Sequence, residues 1–307
     1  MVEKIEKVAV VGLGILGAQI AVQSACYGYQ VTGYDQVEGT FAKANQGLLQ
    51  ALAASGGKGP ITGLEAWKEG IKKVRQAGSL EEALAGADLV IEAVPENLEL
   101  KRKVFAQLDA LAPASAILAT NSSSIPISKI ESATKRPQQC LNLHFYFPIM
   151  GMYLIDVMGG SQTSEQTMQT GIAWARSIGC IPLLVKKEIF GFCFNRVWRA
   201  VKREVLHMWA DGYVDLEDVD RAWMVFTGMP YGPFGLMDQV GLDVIYNVEL
   251  SYFGESQDPR DQPPAALKEM VEKGQLGFKA GKGFYDYPNP AYKASGFLPP
   301  PGPADAE

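Results

Sequence analysis

VAVVGLGILGAQIAVQSACYGYQVTGYD, residues 8–35, is the stretch that decides the fold of this 307-residue chain. Its first four residues form an apolar run that predicts a buried strand, and a Gly-x-Gly-x-x-Gly pattern follows at residues 12–17. A helix-forming stretch (residues 18–26) and a second short strand (residues 30–34) come next, and the unit ends on Asp35. This order of strand, glycine-rich turn, helix, strand and acid predicts a dinucleotide-binding unit at the start of a doubly wound α/β sheet.

The glycines of this pattern each have a separate structural reason. Gly12 permits the tight turn, Gly14 lets a pyrophosphate approach the backbone, and Gly17 lets the helix pack closely on the strand. The first turn of the helix offers unpaired N–H groups to the phosphates. Asp35 is expected to accept hydrogen bonds from a ribose diol and to repel a 2′-phosphate, which favours NAD over NADP. The predicted cofactor loop also includes the residues between the glycines: Leu13, Ile15 and Leu16.

Composition and charge narrow the class of protein. The formal net charge is −6, so the chain has no basic face for nucleic acid. No apolar run approaches the ~20 residues of a membrane span, and the charged N-terminus leads directly into the first strand. The four cysteines are scattered without metal-site spacing, which favours reduced thiols. We therefore expect a soluble, cytoplasmic protein that binds no nucleic acid, membrane or metal.

Two patterns divide the chain into domains. Residues 1–187 alternate strand-like apolar runs with helical stretches, interrupted by a mostly helical insertion at about 41–85. From residue 188 onward the pattern is helical without strands, and the Pro-rich tail at 299–303 is expected to be a flexible end. The sequence therefore predicts a doubly wound Rossmann-type sheet in 1–187 and a second, all-helical domain in 188–307.

His144 and Asp156 are the strongest candidates for chemistry. His144 ends a strand-like run, and in doubly wound sheets ligands lie beyond the carboxyl ends of the strands. Asp156 interrupts another apolar run, where a buried acid needs a partner. Paired, the carboxylate would fix the imidazole tautomer and leave a base for a hydroxyl proton. The alternative is a core histidine satisfied by a backbone carbonyl. His207, the second histidine, lies within a predicted helix and is interpreted as structural.

Two polar clusters follow other predicted strands. Glu96 and Lys101 lie where a strand gives way to a helix, so they either contact the nicotinamide ribose or belong to a capped helix start. Ser123 lies in a polar run at residues 120–124, whose hydroxyls either bind a substrate oxygen or cap the next segment.

Seven stretches, in order, resemble the 3-hydroxyacyl-CoA dehydrogenase family, from about residue 5 to residue 287. They are VAVVGLGILGAQIA, DLVIEAVPENLELK, ATNSSSIPIS, the segment that begins at His144, GFCFNR, GMPYGPFGLMDQVGLD and GQLGFKAGKGFYDY. The resemblance implies an NAD-binding Rossmann domain and a helical domain that usually pairs into a homodimer. It also implies oxidation of the 3-hydroxyl of an acyl-CoA thioester to a ketone, a reaction of fatty acid metabolism.

The resemblance further implies roles for individual residues. The implied catalytic and substrate-binding residues are His144 as general base, Asp156 as the acid that orients it, and Ser123 and Asn195 as ligands of the substrate oxygens. The residues implied to lie near NAD are Gly12, Gly14, Gly17, Asp35, Glu96, Lys101, Ser123 and Lys279. Lys58, in the insertion, is implied to keep a basic contact with the CoA chain.

Several positions depart from the family pattern. Asp156 stands where the family usually has Glu, so the pair must close by a small backbone shift or through a water. The family's HFFNP reads HFYFP at residues 144–148, which puts Phe147 in place of an Asn that binds the cofactor. These changes question the acyl-CoA substrate more than the chemistry. The aromatic side chains at 145–147 and Tyr153 suggest a pocket for a bulky acyl group, or simply core packing.

Two alternative functions stay open. A relative that acts on a free hydroxy acid, or on a betaine such as carnitine, would share the chemistry and need no CoA-binding arm. A non-catalytic NAD-binding protein would share only the fold. That second alternative is disfavoured because His144, Asp156, Ser123 and Asn195 are all present.

Overall fold

A computed structural model describes residues 4–54, 63–149, 151 and 153–298, and the side chains of all of these except 51–54. The chain divides into two compact units, of which the first ends at Phe194 and the second begins at Asn195. This division lies a few residues beyond the boundary predicted near residue 188. The predicted Pro-rich tail lies outside the described residues.

The first unit is built on a single sheet. Its strands are Lys7–Val11 (β1), Gln30–Tyr34 (β2), Arg75–Gln76 (β3), Leu89–Glu92 (β4), Ile117–Thr120 (β5), Cys140–Phe145 (β6), Leu154–Gly159 (β7) and Ile181–Val185 (β8). They lie in the order β3-β2-β1-β4-β5-β6-β7-β8. All neighbouring strands pair in parallel except β6 and β7, which are antiparallel. The predicted doubly wound sheet is therefore confirmed, and its strand order reverses between β1 and β4, where such sheets bind ligands.

Helices join these strands on both faces of the sheet. The α-helices described in this unit are Ile15–Cys26 (α1), Thr40–Ala54 (α2), Gly63–Lys73 (α3), Leu80–Leu84 (α4), Leu98–Leu111 (α5) and Glu165–Ser177 (α6). The predicted insertion contains α2 to α4 and the two-residue β3, which is too short for an apolar pattern to reveal. α3 packs closely on α1, because a Cβ on Gly70 would lie 2.4 Å from Cys26 Sγ.

Alternating side chains of the strands supply two apolar cores. Along β1, Val8 packs in one core and Ala9 in the other. Along β6, Leu143 and Phe145 belong to the same core as Val8. Because successive side chains of a strand point to opposite faces, His144 lies on the face away from that core.

The second unit is all-helical, as predicted. Its α-helices are α7, which begins at the last residue of the first unit (Phe194–Ala210), Leu216–Thr227 (α8), Pro233–Val240 (α9), Leu242–Ser256 (α10) and Ala265–Glu272 (α11). Two buried carboxylates stabilise it: Asp220 accepts backbone N–H bonds at the start of α9, and Asp238 accepts them from residues 284 and 285. Burial raises the pKa of both carboxyls, although these donors oppose the shift. Among the described residues, no helix has the length and apolar character that crossing a membrane requires.

Candidate functional site

The antiparallel β6–β7 pair brings His144 and Asp156 together. The register of the two strands places these residues directly opposite each other. Side chains of cross-strand partners lie on the same face, so the imidazole and the carboxylate meet without any irregularity in the backbone. The sequence suggested this pairing from two polar residues in apolar runs, and the strand register supplies the reason for it.

The contact itself is direct and buried. His144 Nδ1 lies 3.0 Å from Asp156 Oδ2, and the two residues are 5% and 0% exposed. An ionised carboxylate only accepts hydrogen bonds, so Nδ1 carries the proton and donates it. Nε2 is therefore the ring nitrogen that can take up a proton. Although Asp156 is one methylene shorter than the Glu usual in the family, its carboxylate bonds the imidazole directly.

Tyr146 is a third member of this cluster that the sequence did not reveal. Its hydroxyl donates to Asp156 Oδ2 over 2.6 Å and accepts the backbone N–H of Phe194 over 3.1 Å. The rings of Tyr146 and Phe192 flank His144, with centroids 4.8 and 5.2 Å from the imidazole. A tyrosine two residues after a strand histidine lies on the same face of the strand, and that spacing was the available signal.

The glycine-rich loop between β1 and α1 has the geometry of a phosphate cradle. Gly12 has φ +93°, and a Cβ there would lie 2.7 Å from the carbonyl carbon of Ala93. A Cβ on Gly17 would lie 1.9 Å from the Gly12 oxygen, whereas no atom lies within 4 Å of one on Gly14. The first turn of α1 carries no acidic residue. The loop is thus closed at Gly12 and Gly17 and open at Gly14, and the N–H groups of α1 suit an anion there.

Asp35, at the end of β2, braces this loop. Its Oδ2 accepts the Leu13 N–H over 2.8 Å, and its Oδ1 accepts the Val37 N–H over 2.9 Å. A carboxylate has about four lone-pair sites, so two of them remain for a ribose diol. The sequence predicted the position of Asp35 beside the loop but not this bracing contact.

Lys101 is enclosed by acceptors. Its ammonium lies 2.8 Å from Glu92 Oε1, 3.2 Å from the Val94 carbonyl oxygen and 3.3 Å from Glu96 Oε2. The first two contacts are hydrogen bonds and the third is an ion pair, and the residue is 1% exposed. A direct contact of Lys101 with a cofactor stays a prediction, and one that this geometry does not favour.

Glu96 organises the serine-rich loop after β5. Its Oε1 accepts the Ser122 hydroxyl over 2.5 Å, and the Ser124 hydroxyl and N–H over 2.7 and 3.0 Å. Burial acts to raise the pKa of Glu96, but the Lys101 charge and the serine donors together lower it below the usual value. Ser123, between the two serines, is exposed. The loop is therefore held by its outer serines, which presents Ser123 to solvent.

Two further predicted site residues belong to the second unit. Asn195 is in the first turn of α7, and Lys279 lies in the second unit, where its ammonium is 2.6 Å from Asp243 Oδ1. Lys58 lies outside the described residues. Phe145 is 1% exposed and packs in the core beside Trp174, so it does not line an aromatic substrate pocket.

Family models match both parts of the chain. Residues 7–189 match "3-hydroxyacyl-CoA dehydrogenase, NAD binding domain", and residues 191–287 match "3-hydroxyacyl-CoA dehydrogenase, C-terminal domain". The mitochondrial hydroxyacyl-coenzyme A dehydrogenase of Homo sapiens is 32% identical over 288 residues, covering 92% of this chain and 91% of the relative. The 5-formyl-3-hydroxy-2-methylpyridine 4-carboxylate 5-dehydrogenase of Mesorhizobium japonicum is 33% identical with the same coverage.

Solved structures agree with this assignment of the fold. A diketoreductase superposes with a TM-score of 0.82 at 36% identity, covering 93% of this chain and 100% of that one. The 3-hydroxybutyryl-CoA dehydrogenase of Escherichia coli K12 gives 0.83 at 34% identity, covering 93% of this chain and 60% of that one.

Proposed function

This chain belongs to the 3-hydroxyacyl-CoA dehydrogenase family, and from that premise we propose that it oxidises a 3-hydroxyacyl-CoA to the 3-ketoacyl-CoA, reversibly and with NAD. One observation carries the proposal: the direct His144–Asp156 bond near the carboxyl end of β6. A non-catalytic protein with the same fold would have no need for a carboxylate buried against an imidazole. Ligands of doubly wound sheets lie at that same edge.

In the proposed mechanism His144 moves the proton. Its Nε2 takes the proton of the substrate hydroxyl during oxidation and returns it during reduction. Asp156 holds Nδ1–H, which fixes the tautomer and stabilises the imidazolium that forms. Bound NAD supplies the acceptor for the hydride from the carbinol carbon. Ser123 and Asn195 are proposed to hydrogen-bond the substrate oxygens, which would orient the carbinol toward His144.

The proposed cofactor site follows from the glycine-rich loop. The open position at Gly14 and the N–H groups of α1 would hold the pyrophosphate, and the free lone pairs of Asp35 would hold the adenosine ribose. Glu96 is proposed to border the nicotinamide end, where it keeps the Ser123 loop in place. By the family resemblance, Lys279 is proposed to contact NAD and Lys58 to contact the CoA chain.

A second candidate substrate is a hydroxy compound without CoA. The similarity to a diketoreductase and to a pyridine-carboxylate dehydrogenase favours it, since neither enzyme is named for a CoA thioester. The proton transfer by His144 would be the same. The two candidates therefore differ only in the part of the substrate that lies away from the carbinol.

A substrate panel with a matched histidine pair tests the proposal. We expect NADH-dependent reduction of acetoacetyl-CoA, and we expect slower turnover of L-carnitine and of free 3-hydroxy acids with NAD. The His144→Ala variant should lose roughly 10²- to 10⁴-fold in kcat with little change in NAD affinity. His207→Gln, which changes the other histidine of the chain, is the control and should keep wild-type turnover. Undiminished turnover in His144→Ala would remove the proposed base.

We also propose that the protein is a cytoplasmic homodimer. The end of α8 exposes two large apolar side chains, Val225 (74%) and Phe226 (92%), which is unusual for a surface that meets only water. Sedimentation analysis should give twice the chain mass, and fractionation of the source cells should leave the protein with the cytosol. A fully active monomer would contradict the dimer.

A further inference from the structure

We propose that Tyr146 is a positioning residue for the His144–Asp156 pair, because its hydroxyl binds the same carboxylate oxygen that accepts the imidazole N–H. The inference rests on the proposed function for its effect on turnover, but the contacts that carry it are independent of any substrate. Tyr146 sits two residues after His144, and its own N–H extends the β6–β7 ladder by bonding the Leu154 carbonyl over 3.3 Å.

The first step concerns the needs of the buried carboxylate. Asp156 is fully buried, and an ionised carboxylate taken out of water needs hydrogen-bond donors. Its Oδ2 receives two donors, while its Oδ1 has no partner among the described residues. The Tyr146 hydroxyl is thus one of two described donors to this carboxylate. Without it, His144 would be the one remaining described donor.

The second step concerns orientation. The terminal torsion of an aspartate is broad, so a carboxylate held by one donor can rotate and exchange its oxygens. Two donors that converge on Oδ2 from different residues remove that freedom. The plane of the carboxylate, and with it the direction of the acceptor facing His144 Nδ1, is then fixed.

The third step concerns the tyrosine itself. The Phe194 N–H donates to the Tyr146 oxygen over 3.1 Å, so the hydroxyl proton is free to point at Asp156. This gives one continuous chain of donors, from the Phe194 backbone through the tyrosine to the carboxylate.

The fourth step concerns the surroundings of the carboxylate. Cys193 is a further titratable group near it, whose pKa is raised by burial and by the Asp156 charge, so its thiol stays neutral.

The decisive experiment compares Tyr146→Phe with Tyr29→Phe. The control loses a hydroxyl bond of similar length, to Ser177, that involves neither His144 nor Asp156. The chain has two histidines, so selective isotope labelling gives two imidazole signals, which His207→Gln assigns. In Tyr146→Phe the His144 nitrogen signals should change from a single Nδ1–H tautomer toward a mixture of tautomers, because a carboxylate held by one donor no longer fixes the acceptor that faces Nδ1. In Tyr29→Phe these signals should not change.

Turnover and a double variant complete the test. For Tyr146→Phe we expect kcat to fall about tenfold with an unchanged KM for NADH. Tyr146→Phe combined with Asp156→Glu should recover more activity than the product of the two single effects predicts. An unchanged His144 tautomer in Tyr146→Phe, or multiplicative single effects, would overturn the inference. Absence of wild-type turnover would refute the proposed function alone, since the imidazole signals need no substrate.

Discussion

Replacing Asp156 with asparagine isolates the charge of the acid from its shape. The amide can still accept the His144 N–H through its oxygen, so the ring should keep its tautomer and place. What disappears is the attraction between the carboxylate and the imidazolium that forms during oxidation. Two unit charges about 4 Å apart interact by about 4 kcal/mol at the effective dielectric constant of a protein site.

The expected loss follows from that figure. The neutral hydrogen bond that remains is worth about 1 kcal/mol, which leaves a deficit of about 3 kcal/mol. Since each 1.36 kcal/mol corresponds to a factor of ten in rate, kcat should fall roughly 10²-fold. The amide NH₂ would occupy the position of Oδ1, which has no partner among the described residues, so unfolding should become easier by about 1–3 kcal/mol.

The assay is NAD reduction with a saturating 3-hydroxyacyl-CoA, beside urea unfolding of each variant. Asp286→Asn, which neutralises an exposed carboxylate, is the control for a change of charge. A folded Asp156→Asn protein with wild-type kcat would refute the electrostatic role of the acid. It would leave Asp156 as a structural partner of His144.

Three further outcomes test other parts of the structure. Gly14→Ala should fold normally and bind NAD about tenfold more weakly. Gly17→Ala should be unstable, because its Cβ would meet the Gly12 oxygen. Calorimetry would measure the NAD affinity of the first variant and the thermal stability of the second. Asp35→Ala should weaken NAD binding and lessen discrimination against NADP, as titration of each cofactor would reveal. Asp261→Asn should lower the free energy of unfolding at neutral pH by about 1–3 kcal/mol. The difference from wild type should vanish as the pH falls from 3.8 to about 2, which is the pKa of this carboxyl in the folded chain.

The sign of the Asp261 prediction follows from the direction of the shift. Burial alone would raise the pKa, but bonds from Ser256, Arg199 and Arg203 lower it to about 2 in the folded chain. Above the unfolded value the ionised group therefore favours the folded state. Protonation removes that contribution as the pH falls through the folded value, so wild type and variant converge in acid. Urea midpoints measured between neutral pH and the acid range would detect this convergence.

Local patterns were sufficient to predict the sheet and its cofactor loop. The apolar run before Gly12 and the acid at Asp35 lie within one unit of contiguous sequence, so no long-range information is needed to recognise them. The antiparallel β7 could also have been predicted, because the connection at 146–153 is too short for the crossover that a parallel strand requires. The pairing of His144 with Asp156 then follows from register alone.

The contacts of Lys101 could be predicted only in part. A lysine in the first turn of a helix is usually solvated, and nothing in its own neighbourhood indicates burial. Its partner Glu92 is an acid at the end of the apolar run LVIE, which is costly without a compensating cation. The same reasoning that singled out Asp156 would have singled out Glu92. It would not have identified Lys101 as the cation that pairs with Glu92.

Carboxylates that bond loop backbones recur at three strand ends, and together they explain how the site keeps its shape. Asp35, which follows β2, accepts the Leu13 N–H, and Glu92, at the end of β4, accepts the Val94 N–H. Glu96 accepts the Ser124 N–H in the loop after β5. Each of these acids accepts at least one backbone N–H of the protein. Desolvation of Glu92 is offset by the ammonium of Lys101, 2.8 Å from its Oε1. The acids at this edge thus act first on backbone amides, and their loss should loosen loops as well as weaken ligand contacts.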